Sequence, residues 1–169
     1  GSRNRLMRLQ QQEGEPDSRT EIKHYRPMEY VTPLGAQDAS IGIEYWVVIN
    51  LKKGNLRPQS NELFIESGYP IVGTLNGQNQ GQLNARLLKE LGLGMVARHI
   101  IIHLDATNAN NRVRRELFST SREGFKEGPV LEDLTRILRK MLEEDENLFA
   151  IERELTERIA KREVETTSE

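Results

Sequence analysis

Residues 43–50 read Ile-Glu-Tyr-Trp-Val-Val-Ile-Asn, and this stretch decides the fold class. β-Branched and aromatic side chains dominate it, which is typical of a strand. The run is too apolar for a lone exposed ribbon, because both of its faces would then meet water. It therefore predicts a strand held inside a sheet.

The flanking residues supply further elements of the same fold. β-Rich runs occupy residues 63–65, 69–76 and 99–104, and helical patterns occupy residues 84–91 and 112–118. The order strand, strand, helix, strand, helix predicts a mixed sheet with helices on one face. We therefore expect an α+β fold, followed by a C-terminal helical segment.

Composition divides the chain into three parts. Residues 1–39 are polar and punctuated by proline and glycine, which predicts an irregular linker. Residues 40–128 hold most of the β-forming side chains and form the predicted α+β domain. Residues 129–169 are predicted to be helical. Gly1 and Ser2 are typical of a cloning remnant, so we expect the chain to be a piece of a longer protein.

The predicted C-terminal helices carry an apolar stripe at helical spacing. Pro129 suits the first turn of one helix, and Asp145 suits the N-cap of a second. The stripe comprises Leu131, Leu134, Leu138, Met141, Leu142, Leu148, Ile151, Leu155 and Ile159. Because the stripe breaks near residues 143–147, we do not expect a long coiled coil.

Composition and charge exclude several classes of protein. The 169 residues include 24 basic and 26 acidic side chains, so the formal net charge of −2 argues against a uniformly basic nucleic-acid binder. There is no cysteine, which excludes disulfides, thiolate zinc sites and a cysteine nucleophile. No apolar run approaches the roughly 20 residues that span a bilayer. We expect a cytoplasmic protein without a membrane span.

Histidine and hydroxyl side chains do not assemble a catalytic or metal site. His99 and His103 share one face of a predicted strand but lie roughly 13 Å apart, too far for one ion even with Asp105 nearby. We therefore expect no metal site, and partly exposed histidines on a sheet. Ser119-Thr120-Ser121 has no base held against it, so we interpret these hydroxyls as turn or capping groups.

Two segments could meet a phosphate group. Residues 75–81 read Leu-Asn-Gly-Gln-Asn-Gln-Gly and predict an amide- and glycine-rich loop between a strand and a helix. Residues 112–126 place arginines, a lysine and hydroxyls after the last strand. Each segment alone also has an ordinary interpretation: the first as a strand-to-helix turn, the second as a solvated helix face.

Together these segments resemble the transducer domain of the GHKL ATPases, the superfamily of gyrase, the large heat-shock chaperones, histidine kinases and the MutL proteins. The resemblance covers roughly residues 43–128. The motifs that carry it are the Asn76-Gly77 loop, the strand at 99–104 and the basic segment that follows. In MutL-like chains an arginine follows the Asn-Gly turn, whereas this chain has Gln78. The segment Ser119-Thr120-Ser121-Arg122 stands where the family's basic segment would be.

The resemblance implies an accessory domain that meets the γ-phosphate of ATP bound by an upstream ATPase domain of the same protein, and that couples closure to dimerisation. By position Arg122 is the first candidate for the sensing residue, Lys126 the second and Gln78 the third. ATP and Mg²⁺ would belong to the upstream domain. This chain contains neither an ExxxNxxD nor a DxGxG segment. The resemblance therefore implies no catalytic residue and no cofactor here, and we expect no activity from this part alone.

Other functions stay open. The main alternative is a protein-interaction module whose C-terminal helices pair with a partner or form a homodimer. A nucleic-acid module would use residues 112–126. Phe118 is the one aromatic residue in 112–123, which hold all of the charges but Lys126, and stacking platforms need more. An autonomous enzyme has the least support, because no acid/base pair or nucleophile site can be assembled from the sequence.

Overall fold

The computed structural model describes residues 17–35, 40–121 and 124–167. These residues form one mixed sheet and four α-helices. The strands are β1 (Ser18–Val31), β2 (Ile41–Lys52), β3 (Asn55–Leu56), β4 (Ile71–Leu75), β5 (Gln78–Leu83) and β6 (Ile100–Asp105). The helices are α1 (Arg86–Glu90), α2 (Asn111–Leu117), α3 (Pro129–Glu143) and α4 (Glu146–Thr167), with short 3-10 turns at Pro33–Gly35, Ser60–Leu63 and Val96–Arg98.

The strands follow the order β1-β2-β6-β4-β5, and β3 pairs with the end of β2. β4 and β6 are parallel, while the other neighbours are antiparallel. The predicted α+β class with a mixed sheet is therefore confirmed.

β2 lies between β1 and β6 in the sheet and contributes more buried residues to the core than any other strand. Its first ten residues are all buried, as expected for a strand covered on both faces. Alternate residues from Ile41 to Ile49 face the helices, where they join one large cluster with β4 and β6. The helical members of this cluster are Leu87, Leu88, Val113, Leu117, Val130, Leu134, Leu138, Met141, Leu142, Leu148, Ile151 and Leu155. The C-terminal helices and the sheet thus share a core.

The opposite face of the sheet carries a smaller cluster, formed by Trp46, Val48, Phe64, Ile65, Val72 and Ile101. The predicted strand at residues 63–65 is wrong, because Ser60–Leu63 forms a 3-10 turn that lays Phe64 and Ile65 on this face. The buried Asn61 anchors the turn by donating through Nδ2 to the carbonyls of Ala97 (2.8 Å) and Ile100 (2.9 Å).

β1 corrects the linker prediction for residues 1–39. Ser18–Val31 pairs with β2 along its whole length, from Ser18 opposite Lys52 to Val31 opposite Ile41. Two bulges interrupt the register, and Pro27 lies within the second. Proline is tolerated there because β1 is an edge strand among the described residues. Residues 1–16 and 36–39, which the same prediction covered, lie outside the described part of the chain.

The break between the two C-terminal helices is confirmed. α3 ends at Glu143 and α4 begins at Glu146. The predicted cap is also present, because Asp145 Oδ1 accepts the backbone N–H of Asn147 at 3.1 Å.

α4 is attached to the rest of the fold by two carboxylates. Glu152 accepts the backbone N–H groups of Met95 (2.9 Å) and Val96 (2.8 Å), which begin a 3-10 turn. Glu154 pairs with Lys23 of β1 at 2.8 Å. The orientation of α4 is therefore fixed by backbone groups as well as by the hydrophobic core.

Candidate functional site

The Asn76-Gly77 segment is a two-residue hairpin turn between β4 and β5. Both residues have positive φ, 51° and 78°, the conformation for which Asn-Gly is the preferred pair. The predicted strand-to-helix loop is therefore wrong, and Gln78–Leu83 is a strand. Gln78 is the first residue of β5 and is exposed. The Asn76 N–H donates to Thr107 Oγ1 at 2.9 Å, which fixes the turn against the end of β6.

The basic segment continues from α2 into a closed loop, here called the Phe118–Phe125 loop (residues 118–125). An antiparallel bridge joins Phe118 to Phe125. The Lys126 N–H donates to the Leu117 carbonyl at 2.7 Å. Lys126 is thus fixed through its backbone while its side chain is exposed. Arg122, the first candidate for nucleotide sensing, lies outside the described residues.

A pair of glycines brings this loop against the β4–β5 hairpin. Gly73 and Gly81 are opposite each other across the two strands. A Cβ atom at Gly81 would lie 2.8 Å from the backbone nitrogen of Phe125, and one at Gly73 would overlap the Phe125 ring. The structure therefore places the segments that carry Gln78 and Lys126 at one edge of the sheet. Only glycine permits so close an approach.

We expect Gly81→Ala to destabilise the domain by about 1–3 kcal/mol, because the backbone of the loop must move to admit the methyl group. Urea denaturation followed by Trp46 fluorescence measures the loss. Gly94→Ala is the matched control, since a Cβ there meets nothing within 4 Å. If Gly81→Ala and Gly94→Ala had the same free energy of unfolding, the loop backbone would move to admit the methyl group without destabilising the domain.

A polar relay on the face away from the helices, buried except at its Tyr25 end, was missed by the sequence analysis. Here the relay means Thr74, His103, Glu44 and Tyr25. Thr74 Oγ1 lies 2.6 Å from His103 Nε2, and His103 Nδ1 lies 2.9 Å from Glu44 Oε1. Thr74, His103 and Glu44 are 2, 4 and 0% exposed. The expectation of a partly exposed His103 is therefore wrong.

When the His103 ring is neutral, the donor and the acceptor of each hydrogen bond in the relay can be assigned. Tyr25 Oη–H donates to Glu44 Oε2 at 3.1 Å. A carboxylate only accepts, so His103 Nδ1–H donates to Glu44 and Nε2 accepts the Thr74 hydroxyl proton. The order hydroxyl, imidazole, carboxylate is that of an activated nucleophile. The Thr74 side chain is buried from solvent, however, so we assign the relay a structural role. It links strands β4, β6, β2 and β1.

His99 is held separately by the 3-10 turn at Ser60–Leu63. It precedes β6 rather than lying in it, and at 1% exposure it also corrects the expectation of a partly exposed histidine. Its Nδ1 lies 2.9 Å from Ser60 Oγ. The Ser60 backbone N–H donates to the same nitrogen at 3.4 Å, so Nδ1 is an acceptor and the Ser60 hydroxyl proton goes to it, while Ser60 Oγ accepts the Asn50 N–H at 2.9 Å. Burial, aided by the nearby Arg98 charge, lowers the pKa of His99 to about 4.

This pKa predicts a pH dependence of stability. Because the folded pKa lies below the ordinary histidine value of about 6.5, the unfolded chain takes up the proton first as the pH falls. The contribution is complete above about pH 6.5 and declines towards pH 4, by at most about 1.4 kcal/mol per pH unit. In His99→Asn, which keeps an acceptor for Ser60, we expect a smaller loss between pH 7 and 5 in urea titrations. If His99→Asn lost as much stability between pH 7 and 5 as the wild type, the proton uptake would belong to another group.

A second polar cluster lies on the helix face, between β1 and the α3–α4 junction. His24 Nε2 is 2.8 Å from Asp145 Oδ2, and the Tyr45 hydroxyl donates to the same oxygen. Burial and the bond to Asp145 raise the pKa of Tyr45. Burial acts to raise the pKa of Asp145, but the bonds from Tyr45 and His24 outweigh it, and the net pKa is lowered. An open cleft of about 630 Å³ between residues 24–29 and 144–147 borders this cluster.

No family model, curated protein sequence or solved structure matches the chain. Within residues 17–35, 40–121 and 124–167, no group of three or more histidine or carboxylate side chains is placed to hold a metal ion. Over the same residues, the helices are too short or too polar to cross a membrane.

Proposed function

We propose that this chain is a noncatalytic accessory domain of a multidomain GHKL-type ATPase, which senses bound nucleotide and couples it to conformational change or dimerisation. One observation carries the proposal. The Gly73–Gly81 pair brings the Phe118–Phe125 loop against the β4–β5 hairpin. The two segments that the sequence resemblance singles out, far apart in the chain, therefore share one edge of the sheet.

The chemistry of this edge suits a phosphate. The exposed Lys126 carries an ammonium group, and the exposed Gln78 carries an amide that can donate. Arg122 lies between Ser121 and Gly124 in the sequence. Phosphate oxygens accept hydrogen bonds from all three side chains. ATP and Mg²⁺ would be held by an upstream domain of the same protein, which is the proposed partner of this edge.

The test is ATP turnover of the full-length protein that contains this domain. We expect Arg122→Ala, Lys126→Ala or Gln78→Ala to lower turnover by roughly 5- to 150-fold, the usual range for a coupling contact between sites. Circular dichroism and thermal melting establish that the domain still folds.

Arg112→Ala is the matched control. Arg112 is an exposed arginine of α2 in the same basic segment, and it pairs with Glu116 at 3.5 Å instead of belonging to the loop. Unchanged turnover in all three test variants, or an equal loss in Arg112→Ala, would overturn the proposal.

A second candidate is a dimerisation module that uses α4. Beyond Leu155, residues 156–162 of α4 are all exposed, and Ile159 is among the exposed large apolar side chains. This part of the helix is thus not covered by the rest of the described chain. Light scattering tests it: a mass that rises with concentration, and that Ile159→Lys returns to that of a monomer, would favour dimerisation over nucleotide sensing.

A further inference from the structure

The β4–β5 hairpin is tied to the interior of the sheet by the residue at the end of β4. Thr74 lies two positions before Asn76. Its hydroxyl contacts His103 at 2.6 Å, and its carbonyl accepts the Ala106 N–H at 2.9 Å. The conformation of the hairpin turn therefore depends on where His103 holds Thr74.

The same relay reaches the far edge of the sheet. From His103 it passes to Glu44 on β2 and then to Tyr25 on β1, at 2.9 and 3.1 Å. The Tyr25 ring stacks on Trp46 with ring centroids 5.2 Å apart. Tyr25 therefore fixes the middle of β1 relative to β2.

The chain neighbours of Tyr25 and Glu44 point to the other face of the sheet. His24 on β1 and Tyr45 on β2 both bond to Asp145 Oδ2. Because successive strand residues project to opposite faces, a displacement of β1 or β2 moves the contacts on both faces together. Asp145 in turn caps α4, so the α3–α4 junction shares two strands with the relay.

We propose that Glu44 and Tyr25 are positioning residues that couple the β4–β5 hairpin to the α3–α4 junction. The purpose of this coupling rests on the proposed function, in which the hairpin lies at the nucleotide and α4 leads to the output surface. The coupling itself is a property of this domain and needs no nucleotide. It predicts that a change at Thr74 alters the first turn of α4 on the opposite face.

Amide hydrogen exchange of the chain, followed by NMR, is the test. Thr74→Val keeps the shape of the side chain and removes the hydroxyl. We expect exchange at Asn147 and Leu148, whose N–H groups bond to Asp145, to accelerate roughly 2- to 30-fold. Thr74→Ser, which restores the hydroxyl, should return exchange to the wild-type rate.

Thr20→Val is the matched control. Thr20 accepts a hydrogen bond from Asn50 Nδ2 at 2.9 Å and is not part of the relay. Tyr25→Phe provides a second variant at a half-exposed ring, should Thr74→Val fail to fold. Tyr25→Phe should accelerate amide exchange at Asn147 and Leu148. The double variant Tyr25→Phe/Thr74→Val should exchange no faster than either single variant at these two amides.

Two outcomes overturn the coupling. One is wild-type exchange at Asn147 and Leu148 in both Thr74→Val and Tyr25→Phe while the His103 ring nitrogen signals shift. The other is an equal acceleration in Thr20→Val, which would indicate general loosening. If the coupling is found but the Arg122, Lys126 and Gln78 variants keep full ATP turnover, the proposed function fails and the coupling stands.

Discussion

His103→Ala is expected to lower the free energy of unfolding by about 2–6 kcal/mol, because it removes a hydrogen-bond partner from two buried groups at about 1–3 kcal/mol each. Glu44 is fully buried and would lose the partner of Oε1, keeping only the Tyr25 hydroxyl. The Thr74 hydroxyl would lose its partner as well. Urea denaturation measures this loss, with the single tryptophan, Trp46, as the reporter on the same face of the sheet.

The double variant Glu44→Leu/His103→Leu is the control for this prediction. It removes both members of the buried pair and leaves no carboxylate or imidazole without a partner. We expect it to cost less than His103→Ala alone, because an apolar pair avoids the desolvation of the remaining group. A loss below about 1 kcal/mol in His103→Ala would contradict the role of the pair.

Asp145→Ala is expected to cost about 2–4 kcal/mol. The loss combines about 1 kcal/mol for the N-cap of α4 with about 1–3 kcal/mol for the buried Tyr45 hydroxyl left without this acceptor. Since the pKa of Asp145 is lowered by folding, its contribution is present above the ordinary aspartate value and declines as the pH falls through the folded value. The stability difference between wild type and variant should therefore shrink below about pH 4.

Two neighbouring substitutions separate the parts of this effect. Asp145→Asn keeps an oxygen for the cap, so we expect a smaller loss and no acid-dependent difference of this origin. Tyr45→Phe leaves the cap intact and removes only the buried hydroxyl. If Asp145→Ala were no more costly than Tyr45→Phe, the cap would contribute nothing measurable to the stability of α4.

β2 and the helices could be predicted because their signals are local. Residues 43–50 are apolar except for Glu44 and Asn50, and the physical reason is that β2 is covered on both faces. The stripe in residues 129–159 has helical spacing, and its interruption coincides with the break before Glu146. The end of α1 could also be predicted, because glycine is the preferred residue just after a helix. Gly92 adopts the positive φ of 78° that this position favours.

β1 and β5 were missed for two different reasons. In β1, two bulges and Pro27 disturb the alternation that marks a strand, and the edge position leaves several apolar side chains exposed. In β5, the sequence Gln-Asn-Gln-Gly-Gln-Leu has few β-forming residues. The Asn76-Gly77 pair was the available signal, since it is the strongest short hairpin signature.

The relay could not be found from the sequence because it depends on strand order. Glu44 and His103 are 59 residues apart and become direct neighbours only when β2 pairs with β6 in this register. Thr74 joins them only because β4 lies parallel to β6 on its other side. Local patterns give the faces of each strand but not which strand lies next to which.

The irregular register of β1 has a consequence for aggregation. A regular edge strand of 14 residues would offer a continuous row of backbone donors and acceptors to another chain. The bulges near Lys23 and Pro27 divide that row, and proline withholds one donor. Straightening β1 by deleting a bulged residue would therefore turn this border of the sheet into a template for intermolecular strand pairing, and a self-limiting fold into one prone to grow into fibrils.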